Sequence, residues 1–459
     1  MPIFPKHSPY KLTSACLLFT SLTLAAADRL ADCAENPDLL HSIEHSLQAD
    51  IVDVWYPKSI DTEHGGFLTS FDAQWEPQSL QLKGIVPQSR HAWTCARLSE
   101  RYPEKTYLKE AALDGAHFII QHFWDPEHGG FFWLTDQAGE AVSTQDKHFR
   151  KETYGAAFAI YALATVHEVT GSPEALQAAT QAFEWLEHHA HDDTYGGYFE
   201  NLTREGKPVW GTTLTDYPKG QNTTIHLLEA LTQLYHVWPD ECVKQRIEEL
   251  KNLLLERIID PRGYLIQFFD EQWNPVSLKE LPLEQYRELA YFDHVSFGHD
   301  VETAYLLWEA DQVLGGEDQA CVLEMGKRLV DHTLEHGWDP ETGSIPDGGF
   351  YFQNDPTCVI VREERTWWAQ AELLNALLML DKLYPEDPHH YSSKAHKTWT
   401  YIQQNLVDHE HGGWYENGID FNPESQHRPK AHPWKAAYHN SRALLNARHW
   451  LEHHAPASR

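Results

Sequence analysis

Basic residues are scarce in this chain of 459: 36 Lys and Arg stand against 68 Asp and Glu, a formal net charge of -32. That imbalance repels polyanions, so nucleic acid and an anionic membrane surface are poor partners and a small neutral ligand fits better. Cysteine is scarce too, with six residues at Cys16, Cys33, Cys95, Cys242, Cys321 and Cys358. None forms a Cys-x-x-Cys pair, which excludes the common zinc and redox motifs, and they read as free, mostly buried thiols. Long apolar runs are missing except over residues 12–27, which are too short and too rich in Ser and Thr to span a bilayer. That run follows Lys6 and Lys11 and ends in Leu24-Ala25-Ala26-Ala27, the pattern of a secretory signal cleaved near Asp28. Residues 1–27 are thus expected to be a leader and the mature chain periplasmic or secreted; otherwise the protein is cytoplasmic. No low-complexity linker follows, so residues 28–459 are expected to form one domain.

Aromatic residues are abundant, with 17 Trp, 20 Tyr and 19 Phe. Most suit a large core, but the excess also suits a carbohydrate cleft, where the C–H faces of sugar rings stack on indole. Asn36-Pro37 offers a helix start, and Leu40, Ile43, Leu47, Ile51 and Val54 follow at helical spacing, with the helix expected to end before Pro57. Next comes Asp61-Thr62-Glu63-His64-Gly65-Gly66-Phe67, and the phrase returns. It recurs as Asp125-Pro126-Glu127-His128-Gly129-Gly130-Phe131 and Asp192-Asp193-Thr194-Tyr195-Gly196-Gly197-Tyr198, then loosely as Asp260-Pro261-Arg262-Gly263-Tyr264. A fifth copy is split between Asp339-Pro340-Glu341-Thr342-Gly343 and Asp347-Gly348-Gly349-Phe350, and the last is Asp408-His409-Glu410-His411-Gly412-Gly413-Trp414.

The spacing of roughly 65 residues leaves room for two helices and a connection per repeat. Each phrase reads as a tight turn into a short extended segment, because glycine tolerates positive φ. Between the phrases run apolar stripes such as Ala157, Phe158, Tyr161, Ala162, Val166 and Leu373, Leu374, Leu377, Leu378, some apolar around much of the helix, as inner helices walled by outer ones would be. Six hairpins without polar capping repeats predict a closed ring, an all-α (α/α)6 barrel, with turns and short strands at one rim and a funnel between the inner helices.

Polar and aromatic clusters fall where inner helices should begin: Gln88-Ser89-Arg90-His91-Ala92-Trp93, Asn222-Thr223-Thr224-Ile225-His226, Ser296-Phe297-Gly298-His299-Asp300-Val301-Glu302, Trp367-Trp368-Ala369-Gln370-Ala371-Glu372 and Trp434-Lys435-Ala436-Ala437-Tyr438-His439-Asn440. His299 and Glu302 share a helix face, close enough for the carboxylate to orient the ring. Asn222 and His226 also share one, although Asn222 at a helix start is equally an N-cap. Of Trp367 and Trp368, one is expected to face the core and the other the cleft. There is no His-x-x-x-His with a third ligand, so no metal is implied, and no serine nucleophile elbow. Histidines suit proton abstraction from a carbon next to a carbonyl, such as C2 of an open-chain aldose, with an arginine holding the enediolate oxygens. Returning that proton to the opposite face is epimerisation; returning it to C1 is aldose–ketose isomerisation.

Taken in order, these motifs and Tyr154-Gly155-Ala156-Ala157-Phe158 resemble the N-acylglucosamine 2-epimerase superfamily and, within it, the cellobiose 2-epimerases. The resemblance implies an (α/α)6 barrel and cofactor-free inversion at C2 of the reducing-end glucose of β-1,4-linked disaccharides. It implies His299 and His439 as the acid/base pair and His226 as the aid to ring opening. Arg90 and Asn222 would then bind near O1 and O2, and Glu302 would orient His299. Trp368 and Trp434 would wall the sugar, with Trp367 and Tyr154 nearby. Ala436-Ala437 stands where the cellobiose enzymes usually have Cys-Pro, and Thr224 where they often have His. Both departures leave a mannose 2-epimerase or an aldose–ketose isomerase as alternatives, and a non-catalytic glycan-binding toroid is a more distant one. The expected partner is a small neutral sugar, and the expected state a monomer or weak homodimer.

Overall fold

Pro37 opens the first helix, as a residue with no N–H to satisfy and a helical φ does best at the first position. The computed structural model describes residues 37–143, 150–211 and 217–452. Among these, helices alternate between an outer and an inner layer: outer α1 (Pro37–Ser46), inner α2 (Ile85–Arg101), outer α3 (Thr106–Phe118), inner α4 (Thr153–Thr170), outer α5 (Pro173–His189), inner α6 (Gln221–Val237), outer α7 (Glu241–Leu253), inner α8 (Phe297–Val313), outer α9 (Gln319–His336), inner α10 (Trp367–Leu383), outer α11 (Tyr391–Tyr401) and inner α12 (Tyr438–Glu452).

Burial separates the layers. Helix α4 buries every residue from Thr153 to Val166, and α10 buries both Trp367 and the run from Ala369 to Leu380. Outer α5 buries only Ala175, Ala179, Ala182, Phe183 and Leu186, one stripe at helical spacing. Each inner helix packs against its two inner neighbours, and α12 packs back on α1 and α2, which closes the ring. Polar contacts seal that seam: Trp399 Nε1 donates to Ser42 Oγ at 3.0 Å, and Trp75 Nε1 donates to the Gly412 carbonyl at 3.1 Å. The fold is the (α/α)6 barrel that the repeats predict.

The repeated phrases are the turns after the outer helices. In the first, the backbone N–H groups of Glu63 and His64 donate to Asp61 Oδ1, and Gly65 and Gly66 take φ of 79° and 64°, where a side chain would be strained. The second oxygen of Asp61 receives a buried lysine, Lys83, from the short strand entering the next inner helix, at 2.9 Å. Lys151 repeats this with Asp125 and Lys219 with Asp192, at 3.1 and 2.6 Å, and Lys430 pairs with Asp408. Lys83, Lys151 and Lys219 also donate to carbonyls of the same turns, so each of these rim loops is clamped to its neighbour.

Two expectations change. The first helix does not stop before Pro57: it passes through a π turn at Leu47–Val52 and continues as Asp53–Ser59 with Pro57 inside. A proline that near the end forfeits one hydrogen bond, and the segment Asp53–Ser59 buries Trp55 and Tyr56 before it and Ser59 after it. Gly348-Gly349-Phe350 is not a turn but part of the strand Gly348–Tyr351, paired with Val295–Ser296 and Cys358–Arg362. Glycine is needed there for space, because a Cβ at Gly349 would lie 2.5 Å from Cys358 Sγ. Four cysteines are free thiols, Cys95 and Cys358 buried, Cys242 half-buried and Cys321 exposed. The expected leader over residues 1–27, which includes Cys16, and Cys33 beyond it lie outside the described residues. Among the described residues no helix is long and apolar enough to cross a membrane.

Candidate active site

Short extended segments lead directly into the inner helices, so their N-terminal turns gather at the strand-bearing rim. The expected site residues sit in those turns. Arg90 is buried in α2, its guanidinium 4.5 Å from the ring centre of Phe158 and 5.2 Å from that of Tyr438. It donates to Tyr154 Oη at 3.1 Å and to the Trp434 carbonyl at 3.4 Å. Tyr154 stands edge-on to His226, ring centres 5.5 Å apart. Asn222 is half-buried one turn before His226, and its Oδ1 has no partner. Helix α10 leaves Trp368 out of its otherwise buried run, and this ring lies 4.8 Å from His299 and 5.6 Å from His439. Gly298 makes that approach possible, since a Cβ there would be 2.5 Å from the indole. Trp434 stands at the mouth, 53% exposed, its ring 6.0 Å from that of Trp133.

Trp367 is the core-facing member of its pair. It is buried with its ring 5.6 Å from Lys435 Nζ, so it backs the loop beneath Trp434.

One helical turn deeper lies a layer of charge. Arg442, three residues after His439, reaches three carboxylates from three helices: Glu229, Glu302 and Glu372. Tyr438 Oη donates to Glu229 at 2.5 Å. All five side chains are buried. Two of the carboxylates hold histidines of the layer above: Glu229 accepts from His226 Nδ1 at 2.9 Å, and Glu372 from His439 Nδ1 at 2.8 Å.

Glu302 departs from its expected role. Its Oε1 accepts from Arg442 and lies 3.9 Å from His439, while His299 Nδ1 meets Ser296 Oγ at 2.8 Å. Arg442, two inner helices further round the ring on α12, draws the carboxylate across the barrel, and the serine preceding α8 takes over the ring. Glu372 and Tyr438 lie inside the sequence motifs without an assigned role, and Glu229 and Arg442 lie just beyond them. One signal was present: His226-Leu227-Leu228-Glu229 has the same spacing as His299 and Glu302.

The charges follow from this packing. Burial drives His299 well below the ordinary imidazole range, and the neighbouring histidines and the Arg90 guanidinium push the same way, since each would repel a second charge. Burial does the same to His439, against the pull of Glu302. For Glu229 burial opposes ionisation, yet Arg442, His226 and Tyr438 outweigh it and hold it at about 2. Glu302, Glu372 and His439 lie close enough to suggest a metal site, with ligand atoms within 4.8 Å. Both carboxylates already receive the Arg442 guanidinium, so a divalent ion would sit against a fixed positive charge. Nδ1 of each histidine is engaged, which leaves Nε2 as the edge available to a substrate.

Residues 65–443 match the model of the N-acylglucosamine 2-epimerase (GlcNAc 2-epimerase) family. The chain is 30% identical over 415 residues to cellobiose 2-epimerase of Bacteroides fragilis, covering 89% of this chain and 98% of that one. It is 24% identical over 394 residues to a D-mannose isomerase of Marinomonas mediterranea, covering 84% and 92%. The solved cellobiose 2-epimerase of Spirochaeta thermophila superposes with a TM-score of 0.78 at 30% identity, covering 91% of this chain and 98% of that one.

Proposed function

Because the chain belongs to the N-acylglucosamine 2-epimerase family, we propose that it inverts C2 of the reducing-end glucose of cellobiose and related β-1,4-linked disaccharides, giving 4-O-β-D-glucosyl-D-mannose from cellobiose. The chain is an enzyme of the epimerase and isomerase class, and its substrate is a small sugar. The observation that carries the finer reading is the pair of imidazoles, His299 half-buried and His439 buried, both against Trp368 and both with Nε2 unengaged among the described residues.

The sugar ring must open before C2 becomes acidic. His226, its Nδ1–H held by the ionised Glu229, offers a lone pair on Nε2 that takes the O1 proton, which passes to the ring oxygen as the C1–O5 bond breaks. Removal of the C2 proton then gives an enediolate, and Arg90 with His226 and Asn222 holds its oxygens. Donors aimed at such a developing charge are each worth about 10²–10³ in rate. His439 fits the base: its Nδ1–H lies on Glu372, and the imidazolium that forms is stabilised by Glu372 and Glu302. His299 fits the acid that protonates the opposite face of C2, since the hydroxyl of Ser296 can donate or accept and so suits either protonation state. One imidazole starts protonated and the other neutral; turnover exchanges their states and water resets them. Trp368 and Trp434 supply stacking faces for the sugar.

A mannose-directed isomerase is the second reading, favoured by the likeness to the D-mannose isomerase and by Ala436-Ala437 in the last motif. Incubating the purified protein separately with cellobiose, lactose and mannose and separating the products by chromatography tests both. A 2-epimer of intact disaccharide supports the first reading. Fructose from mannose with unchanged cellobiose supports the second, and hydrolysed cellobiose contradicts both.

A further inference from the structure

Trp434 reaches the mouth on a four-residue turn, His432-Pro433-Trp434-Lys435, closed by the Lys435 N–H donating to the His432 carbonyl at 2.8 Å. Pro433 takes the second place, where its fixed φ suits a tight turn. Trp434 takes the third, with its N–H on His432 Nδ1 at 3.2 Å and its carbonyl 3.4 Å from Arg90 Nη1. Its indole is 53% exposed and meets one other ring, Trp133, among the described residues, so its direction depends on the turn beneath it.

That turn is anchored by a buried cation. Lys435 is 2% exposed, and its Nζ donates to the carbonyls of Trp414 and Lys430, both at 2.7 Å. Trp414 is the aromatic that ends the last repeated phrase. At the same place in the first and fifth phrases a neutral amide serves: Gln88 bonds both backbone groups of Phe67, and Gln370 both of Ile345. An ammonium is the costlier choice, because a buried charge calls for an opposite one. Lys435 makes no ion pair among the described residues, and Glu416, the acid that acts on it from a distance, is held by His432 at 3.2 Å and Arg428 at 3.7 Å. Burial and the charge of Lys430 push the Lys435 ammonium down to about 7. What the lysine offers is several donors on a long stem, and it uses them to join two segments, the last rim turn and the chain just before the mouth turn.

We propose that Lys435 is a positioning residue for the reaction: by tying the last rim turn to the mouth turn it aims Trp434 at the sugar. This rests on the reading of Trp434 as a stacking face for the substrate. Arg90 keeps its closer contact, with Tyr154 at 3.1 Å, so substrate binding depends on Lys435 more than the chemical step does.

Lys435→Met, which keeps the bulk of the stem and removes the donors, tests it through two readouts. In protein labelled with 5-fluorotryptophan, the fluorine NMR resonance of Trp434, identified by its loss in Trp434→Phe, should shift or broaden. Steady-state kinetics on cellobiose should show KM raised by about tenfold with a smaller change in kcat, the mark of lost uniform binding. Because Lys435 acts through Trp434, the double variant with Trp434→Ala should have the KM of Trp434→Ala alone. Should Lys435→Met not fold, Lys435→Gln, which supplies the amide used in the other turns, is expected to move both readouts the same way. A Trp434 resonance left at its wild-type position and width, or KM effects of Lys435→Met and Trp434→Ala that multiply, would overturn the proposal. No turnover of cellobiose, or an unchanged KM in Trp434→Ala, would contradict the reading on which it rests, and the Trp434 resonance alone then decides whether Lys435 sets the turn.

Discussion

His226, His299 and His439 each stand one turn ahead of a charged residue, Glu229, Glu302 and Arg442. The spacing was legible, but its meaning was not. At three residues along a helix a carboxylate reaches either its own histidine or a group on another inner helix across the barrel, and only the position of Arg442 decides that Glu229 does both while Glu302 turns away. His299→Ala and His439→Ala are each expected to lower kcat by about 10²–10⁴ with folding intact, measured by product formation beside circular dichroism. Both imidazoles are held below their ordinary value, and the mechanism needs His439 neutral and His299 protonated, so both limbs of kcat/KM should be displaced to lower pH, the acid limb set by His439 and the alkaline limb by His299. Unfolding returns the rings to about 6.5, and the unfolded chain then binds protons that the native chain refuses. Stability should therefore be full above pH 6.5 and fall as pH drops through and below it, as denaturation midpoints across pH would show. Arg442→Met leaves three carboxylates facing one another without a counter-charge. Loss of one partner of a buried ion pair costs about 3–5 kcal/mol, so the unfolding free energy extrapolated from a urea titration should fall by at least that much.

At the scale of the element, the helices and their layers followed from apolar spacing alone, since α4 and α10 carry no polar face and must be walled by others. The turns followed from paired glycines, but Gly348-Gly349 shows the limit: glycine serves a tight strand crossing as readily as a left-handed turn. The clamping lysines were not legible, because Lys83, Lys151 and Lys219 meet their aspartates only after a loop has folded back. Trp368 depends on its element in the same way, through the missing side chain of Gly298 on α8. Gly298→Ala is expected to displace the indole and lower kcat/KM at least tenfold while shifting the melting temperature by only a few degrees, which steady-state kinetics and a thermal scan would separate.

At the scale of the molecule, six repeats without caps argued for closure, and α12 meeting α1 and α2 supplies it. Closure matters for chemistry because it brings His439, from the last repeat, onto the same ring of Trp368 as His299, from the fourth hairpin. Arg442 then ties the sixth inner helix to the third, fourth and fifth through single carboxylates. No local stretch of sequence contains that arrangement, so the site was readable as a set of residues but not as a network. The central claim is that protons leave and return at C2 between two imidazoles on opposite faces. It is tested by running the reaction on cellobiose in D2O and locating the label by NMR. The account predicts one deuterium at C2 of the mannose-type product, with the glycosidic bond intact. An epimer carrying no solvent deuterium at C2, or a ketose as the sole product, would contradict it.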